Sequence, residues 1–554
     1  MKNTAIPLTE DSLIIRMQTL PVWIVGLLGF MGILIASRWG IGASPDSVVY
    51  LIGARSIASG RGFSLPDGVL GYAPITHHAP LYSAWLAAVN LLGIDVMQGA
   101  RWVNAFLLLG SVFVFGWAIR SFTQRNSMSR IVLPVTGAAI LMTSASMTQI
   151  HLMAWSESLF IFTVLMGFLF LARWLDGAPN QHLFVAIISI AAACLTRYAG
   201  VAVAATGAIA ILLFHPRKNV PAAEQGSERI PHHSLKLSHR VISAAMFLIA
   251  ALAPLLAWTG RNVILGGSAA SRELEYHLIT WQQIGQGLTT LGGWWFIPAK
   301  MSSLVKIAPY MILGAASLMM IGRKNKDLSH RSRSFWQNLN QLPGMIKIVL
   351  IFMPLYMAFL IFSISFLDAN TPLDDRILSP LYVTLALLVV YLVQEYMERF
   401  RPLASIKTSL ALMGVLFLAA NLYQSSGLLR QSHSEGLGFM SHEWRESVIL
   451  QQARRLPQTT LVFSNAPEAV LLYTHLTASR LPRKFEPANR QANINYASEM
   501  DELRRLMEKS SGAIIYFTRL NIQTLPSLQE LETGYDLTIL YQAEDGVILR
   551  VADQ

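Results

Sequence analysis

Eleven apolar stretches recur along this 554-residue chain, near 22–37, 101–119, 131–149, 155–172, 183–196, 199–214, 241–259, 306–322, 346–366, 377–394 and 408–424. A helix needs roughly 20 apolar residues to cross a bilayer. Inside lipid only a helix or a closed barrel satisfies its own backbone groups. The pattern predicts a polytopic α-helical membrane protein with about 11 transmembrane helices. A twelfth apolar stretch, 80–93, opens at Pro80 and closes at Gly93. It is brief and reads as a helix lying at the membrane interface.

Charge divides the chain into two regions. Residues 1–424 carry 47 charged side chains, about 11% of positions, and residues 425–554 carry 28, about 22%. Soluble domains are usually about 25% charged. The expected domains are therefore a cytoplasmic segment at 1–21, a transmembrane domain at 22–424 with a large first outside loop at 38–100, and an extracytoplasmic soluble α/β domain at 425–554. The overall 14% charge excludes a purely soluble enzyme, and the single cysteine, Cys194, excludes a disulfide scaffold. The net charge of +11 belongs to the membrane part. It reads as loop retention on the cytoplasmic side, and nucleic acid is not an expected partner.

Loop charges orient the spans. With the N-terminus inside, Arg120, Arg125, Arg130 and Arg173 fall on the cytoplasmic side. So do the two densest clusters, Arg217, Lys218, Arg229, Lys236 and Arg240, then Arg323, Lys324, Lys326, Arg331 and Arg333. Counting 80–93 as a span would reverse both clusters. The first span follows a polar lead and reads as a retained anchor. In the tail, 460–463, 513–517 and 547–551 read as strands. The segments 443–455 and 498–509 read as helices. His232, His233 and His239 lie in a polar loop without acidic or thiol partners at ligand spacing.

The outside face collects the ionisable groups that break the apolar pattern. Asp46 follows the first span and precedes a helix predicted over 48–59. It either caps that helix or acts as a partly desolvated general base with raised proton affinity. His77 and His78 precede the interfacial helix and can donate hydrogen bonds to a phosphate. Glu157 enters the fourth span almost at once, where a carboxylate faces a cavity or the interface. Arg197 sits in a tight reversal between spans, and either snorkels or binds an anionic headgroup. Asp374, Asp375 and Arg376 precede the tenth span. A guanidinium fork suits phosphate. The paired carboxylates also resemble a divalent-metal pair, for which Arg376 competes. Arg272, Glu273 and Glu275 are further candidates in the 260–305 loop.

These pieces resemble the GT-C superfamily. They are Asp46 after the first span, His78-Ala79-Pro80-Leu81-Tyr82, Ala100-Arg101-Trp102-Val103-Asn104-Ala105, Ser156-Glu157-Ser158-Leu159-Phe160, Leu195-Thr196-Arg197 and Asp375-Arg376-Ile377-Leu378-Ser379-Pro380. They occur in the family's order over roughly 20–395. The chain is similar to bacterial polyprenyl-phosphate-sugar-dependent glycosyltransferases, the branch with protein O-mannosyltransferases and aminoarabinose transferases. The resemblance implies a bacterial inner- or plasma-membrane enzyme that takes sugar from a polyprenyl phosphate. It makes Asp46 the catalytic aspartate and Glu157 a second acidic position of the cavity. The chain departs from many relatives in having Asp46-Ser47 for an Asp-Glu pair, and His78 where a lysine is common.

The expected reaction is transfer of a sugar to an unidentified lipid, glycan or protein acceptor, with inversion. Asp46 is the base, and Glu157, His77, His78, Arg197, Asp374, Asp375 and Arg376 bind substrate. No cofactor is required, because cations can stabilise a departing lipid monophosphate. The rival readings are a transporter or flippase, which predicts repeats and midplane sites, and an oligosaccharide ligase or polymerase.

Overall fold

A computed structural model of the chain describes residues 10–67, 71–123, 129–214, 237–270, 274–322, 335–474, 476–486, 490–534 and 537–551. Arg125, Arg217, Lys218, Arg229, His232, His233, Lys236, Arg272, Glu273, Arg323, Lys324, Lys326, Arg331 and Arg333 lie outside these described residues.

The predicted apolar stretches are all helical. They lie in α1 (Glu10–Ala36), α4 (Val96–Phe122), the pair α5 (Ser129–Thr143) and α6 (Ala145–Leu152), α7 (Glu157–Leu175), α8 (Gln181–Thr196), α9 (Gly200–Leu213), α10 (Leu237–Gly266), α12 (Ser303–Gly322), α14 (Gly344–Phe366), α15 (Asp375–Phe400) and α16 (Ala404–Ser434). Between them lie α2 (Pro45–Ala58), α3 (Leu81–Leu91), α11 (Trp281–Gly293) and α13 (Phe335–Gln341). Among the described residues, seven helices are long and apolar enough to cross a membrane, or eight if the pair α5–α6, bent by 57°, is one span. The chain is a multi-pass membrane protein. The apolar helices α8 and α9 have only 16 and 14 residues, so each rises about 21–24 Å and falls short of the hydrocarbon thickness. The bend follows from Ser144, which leaves helical geometry and caps α6 by accepting from the Met147 amide. The helix α3 is 11 residues long and leaves Trp85 and Leu91 exposed.

The bundle has two chemically distinct ends. Arg120, Arg130 and Arg173 gather at one, where Asp176 accepts from the Gly344 amide at 3.0 Å and Gln394 donates to the Phe122 carbonyl at 3.3 Å. The ends of α1, α8, α10, α14 and α16 and the starts of α4, α7, α9 and α15 meet at the other. This end carries α2, α3, α11 and the hairpin of β1 (Ser64–Asp67) with β2 (Gly71–Pro74).

A C-terminal α/β domain covers that second end. Its sheet has the order β4-β3-β5-β7-β6. Strand β3 (Val462–Ser464) runs parallel to β4 (Ala478–Arg480) and to the central β5 (Ala513–Tyr516), while β7 (Gly546–Val551) is antiparallel to both β5 and β6 (Leu537–Ala543). The three strands read from sequence coincide with β3, β5 and β7. The edge strands were not legible, since β4 has three residues and β6 is half-exposed along its length. The stretch 443–455 is not one helix but α17 (His442–Arg445) and α18 (Val448–Ala453), because Ser447 restarts the chain as a cap. Three further helices are α19 (Pro467–Tyr473), α20 (Tyr496–Ser510) and α21 (Leu528–Gly534). The membrane helix α16 continues through position 425 to Ser434.

A short backbone layer joins domain and bundle. Gly42 donates to the Leu152 carbonyl and accepts from the Ala154 amide, both at 2.8 Å. On its other side Ala43 donates to the Leu437 carbonyl at 3.2 Å and accepts from the Phe439 amide at 2.7 Å. A β-carbon at Gly42 would meet the Leu152 carbonyl oxygen and the Leu437 β-carbon, both at 2.9 Å. Gly42→Val is therefore expected to destabilise the protein by about 1–3 kcal/mol through overpacking, seen as a lower unfolding temperature in detergent.

Candidate active site

The site grows from four chain breaks at the covered end. The first is the start of α2, where Ser44 is the cap and Pro45 opens the helix. The Ser44 hydroxyl accepts from the Ser47 amide at 3.4 Å and from the Trp155 indole at 2.8 Å. Capping is thus done by Ser44, which leaves the Asp46 carboxylate for other partners. Its side chain is 41% exposed.

The second break is the irregular turn between α6 and α7, which delivers Trp155, Ser156 and Glu157. The third is Arg197 after α8, and the fourth is Arg376 in the first turn of α15. Arg376 forks between two carboxylates. Its Nη1 donates to Asp46 Oδ2 at 2.7 Å and its Nε donates to Glu157 Oε1. The guanidinium carbon lies 4.6 Å from the centre of the Trp155 ring. Arg197 Nη1 pairs with the same Glu157 oxygen, and Glu157 is only 3% exposed. Glu157 and the two guanidiniums are thus largely buried, and Asp46, at the exposed mouth, brings the charges into balance. His78 Nε2 stands 3.8 Å from Asp46 Oδ1. The His77 ring lies 4.3 Å from that of His78, and the Tyr50 ring 4.8 Å.

Electrostatics reverses one expectation. Burial acts to raise the Asp46 proton affinity, but Arg376, His78 and Arg197 oppose it, and the carboxyl is held below its ordinary range. Asp46 is an ionised group at neutral pH, not one with raised affinity for a proton. His78 is pushed down to about 3 by burial and by its neighbour His77, against the attraction of Asp46. It is neutral in the folded chain. An unfolded histidine titrates near 6.5. Between about 6.5 and about 3 the unfolded chain then binds more protons at this position, so stability falls as pH falls through that window. His78→Gln is expected to flatten this part of the pH–stability curve, measured by thermal unfolding of wild type and variant.

Two predicted site residues stand apart from the cluster. Asp374 caps α15 by accepting from the Ile377 amide at 3.0 Å. Asp375 Oδ1 accepts from Ser146 Oγ at 2.6 Å and from the Trp294 indole at 2.8 Å, which ties α6 and α11 to α15. These carboxylates are engaged with the scaffold. Glu275 pairs with Gln491 of the soluble domain. Among the described residues, no three His, Cys, Asp or Glu side chains gather as a metal site.

Other residues escaped the sequence reading. Arg261 donates to the carbonyls of Ile75 (2.8 Å) and Phe63 (3.3 Å), and Asn262 and Tyr198 both donate to the Thr76 carbonyl at 3.0 and 3.1 Å. They clamp the loop that carries His77 and His78. The available signal was an Arg-Asn pair interrupting the end of an apolar helix. Trp155 was visible only as an aromatic residue beside Glu157.

No family model matches the chain, and no curated protein matches it in sequence. Solved structures do match. ArnT from Cupriavidus metallidurans bound to undecaprenyl phosphate superposes with a TM-score of 0.54 at 10% identity, over 96% of this chain and 97% of that one. The apo form gives 0.56 at the same identity and coverage. The oligosaccharyltransferase of Archaeoglobus fulgidus, in complex with Zn and sulfate, gives 0.50 at 12% identity over 90% of this chain and 68% of that one. Both proteins are GT-C superfamily members. The chain shares the GT-C fold with these structures.

Proposed function

We propose that the chain is a glycosyltransferase that moves a sugar from a polyprenyl-phosphate donor to an acceptor hydroxyl at the covered end of the bundle. The observation that carries this reading is the fork of Arg376 between Asp46 and Glu157 beside Arg197. A phosphate needs cations and an acceptor hydroxyl needs a base, and this cluster holds both within contact of one another. The undecaprenyl phosphate bound to ArnT supports a lipid phosphate as the donor's leaving group.

The donor phosphate would draw on the guanidiniums of Arg376 and Arg197. Engagement with phosphate weakens the hold of Arg376 on Asp46, so the carboxylate becomes a stronger base once the donor is bound. Asp46 then accepts the proton of the acceptor hydroxyl. The hydroxyl oxygen bonds to the anomeric carbon as that carbon's bond to the phosphate oxygen breaks, with inversion. The products are the glycosylated acceptor, the polyprenyl phosphate and protonated Asp46, which returns its proton to water. His78, neutral, donates a hydrogen bond to sugar or phosphate.

Arg120, Arg130 and Arg173 at the opposite end favour a cytoplasmic placement for that end. The N-terminus would then be cytoplasmic and the soluble domain extracytoplasmic, in a bacterial inner or plasma membrane. A transporter is disfavoured because the paired carboxylates and guanidiniums lie at helix ends and not in the middle of the spans. An oligosaccharide ligase or polymerase would use the same groups on a longer donor.

The test uses the full chain in lipid nanodiscs with undecaprenyl-phosphate sugars and a membrane extract as acceptor. A new glycosidic product by mass spectrometry is the expected result. Sugar crossing a liposome wall with no new bond would overturn the reading. In the same assay the acid limb of kcat/KM, which reports the free enzyme, is expected below the ordinary carboxylate range. The acid limb of kcat is expected at higher pH, because the bound donor has taken up Arg376.

A further inference from the structure

Three of the segments that carry the family resemblance, 78–82, 100–105 and 156–160, meet at one amide inside the bundle. Asn104 of α4 is 0% exposed. Its Nδ2 donates to the carbonyls of His151 (3.2 Å) and Met153 (2.7 Å). Its Oδ1 accepts from the hydroxyls of Tyr82 (3.0 Å) and Ser158 (3.1 Å). An asparagine amide offers two donors and two acceptor lone pairs, so every one is used. The carbonyls it takes belong to the C-terminal end of α6, beyond the helical bonds, and that of Met153 also accepts from the Trp155 amide at 2.7 Å.

What Asn104 holds is the turn that aims the charged cluster. Residues 153–156 are irregular and connect α6 to α7. They set the direction of Trp155, under Arg376, and of Glu157. The same stretch is bonded to Gly42, which fixes the entry to Asp46. Through Tyr82 the amide also reaches Tyr50, whose ring meets Tyr82 edge-on at 5.5 Å and whose hydroxyl lies 3.0 Å from Ser156 Oγ. Tyr50 in turn packs on His78. All routes from Asn104 end on groups that face Asp46 or Arg376.

We infer that Asn104 is a positioning residue, which sets the separation of Asp46 and Glu157 across Arg376 without touching substrate. Its kinetic readout rests on the glycosyltransferase reading above. A purely structural amide would lower the amount of folded protein and leave the chemistry of the remainder intact. A positioning amide changes the chemistry of folded protein. The groups facing Asp46 are Arg376 of α15, Arg197 after α8, Tyr50 of α2 and His78 before α3, with Glu157 of α7 behind the two guanidiniums and His77 against His78. If Asn104 is lost, Arg376 is no longer held on Asp46, and the acid limb of kcat/KM moves to higher pH.

The experiment compares wild type, Asn104→Ala and Tyr82→Phe as full chains in nanodiscs. Activity is read with an undecaprenyl-phosphate sugar, and backbone amide exchange is read by mass spectrometry. Misplacement by about 1 Å can cost about 100-fold in rate. Asn104→Ala is expected to lose about 30- to 100-fold in kcat per folded molecule, with donor KM within about threefold and the acid limb raised. Tyr82→Phe removes one of the four bonds and is expected to lose less. Peptides covering 152–158 are expected to exchange about tenfold faster in Asn104→Ala, while β3 of the soluble domain is unchanged. Wild-type exchange at 152–158, or wild-type kcat and acid limb per folded molecule, would overturn the inference. If wild type itself transfers no sugar, the proposed function has failed, and the exchange comparison alone decides whether Asn104 holds the turn.

Discussion

Asp46→Asn is expected to reduce sugar transfer by about 10³-fold or more while leaving the protein folded. The substitution keeps the size of the side chain and an oxygen for Arg376 Nη1, so the geometry of the fork survives. The asparagine cannot accept the acceptor's proton. Asp46 is 41% exposed at the mouth of the site, so removing its charge leaves no deeply buried group unpaired. The checks are turnover in nanodiscs, donor KM and unfolding temperature, compared with wild type. An Asp46→Asn enzyme with full turnover would remove Asp46 as the base. A collapse of the unfolding temperature would instead make it a structural ion.

Glu157→Ala is expected to do the opposite, damaging the fold before the chemistry. Glu157 is the shared carboxylate of Arg376 and Arg197 and is 3% exposed. Removing it leaves two guanidiniums facing each other in a closed volume. Breaking a buried pair from one side typically costs about 3–5 kcal/mol. The expected outcome is poor recovery from the membrane and a clearly lower unfolding temperature. Glu157→Gln restores a hydrogen-bond acceptor without the charge and should fall between the two. If Glu157→Ala were as stable as wild type, the cluster would be an open, hydrated site and not a closed one. The contrast between Asp46 and Glu157, equal in charge and both bound to Arg376, separates a reacting carboxylate from a structural one.

The membrane part was legible in outline because hydropathy is a local, additive property. The apolar runs coincide with helices, and 80–93 holds a short helix, Leu81–Leu91, that leaves Trp85 and Leu91 exposed. What hydropathy cannot show is where a helix breaks or stops short. The 57° bend at Ser144 depends on one cap, and α8 and α9 are shorter than a span although both are strongly apolar.

The site was legible as a set of loops and not as a set of bonds. Asp46, Glu157, Arg197, Arg376 and the two histidines stood out because ionisable groups beside apolar runs are rare. Asp374 and Asp375 stood out for the same reason, yet one caps a helix and the other anchors Ser146 and Trp294. Nothing in the triplet Asp374-Asp375-Arg376 shows that its members point to three different places. The first turn of a helix rotates successive side chains by about 100°, and only the packing around α15 decides which one meets the cavity.

Asn104 makes the same point from the apolar side. In sequence it is one amide within the apolar run 101–119. Its role depends on carbonyls about fifty residues away, and on a tyrosine and a serine from two further elements. The sign of the Asp46 shift is likewise a tertiary fact. Position at the membrane surface argues for desolvation and a raised proton affinity. Arg376, 330 residues further along the chain, overturns it.

The amino-acid sequence by itself determined that this chain is a multi-pass membrane protein, which segments interrupt its apolar runs with ionisable groups, and that an α/β domain follows. Those properties are sums over neighbouring residues, and any chain of this composition and order would share them. The tertiary structure alone decided which charges are partners, which carboxylate stays ionised at the mouth of the site and which amide holds the turn beneath it. Coulomb and hydrogen-bond energies depend on distances of a few ångströms between residues far apart in the chain, and only the fold sets those distances.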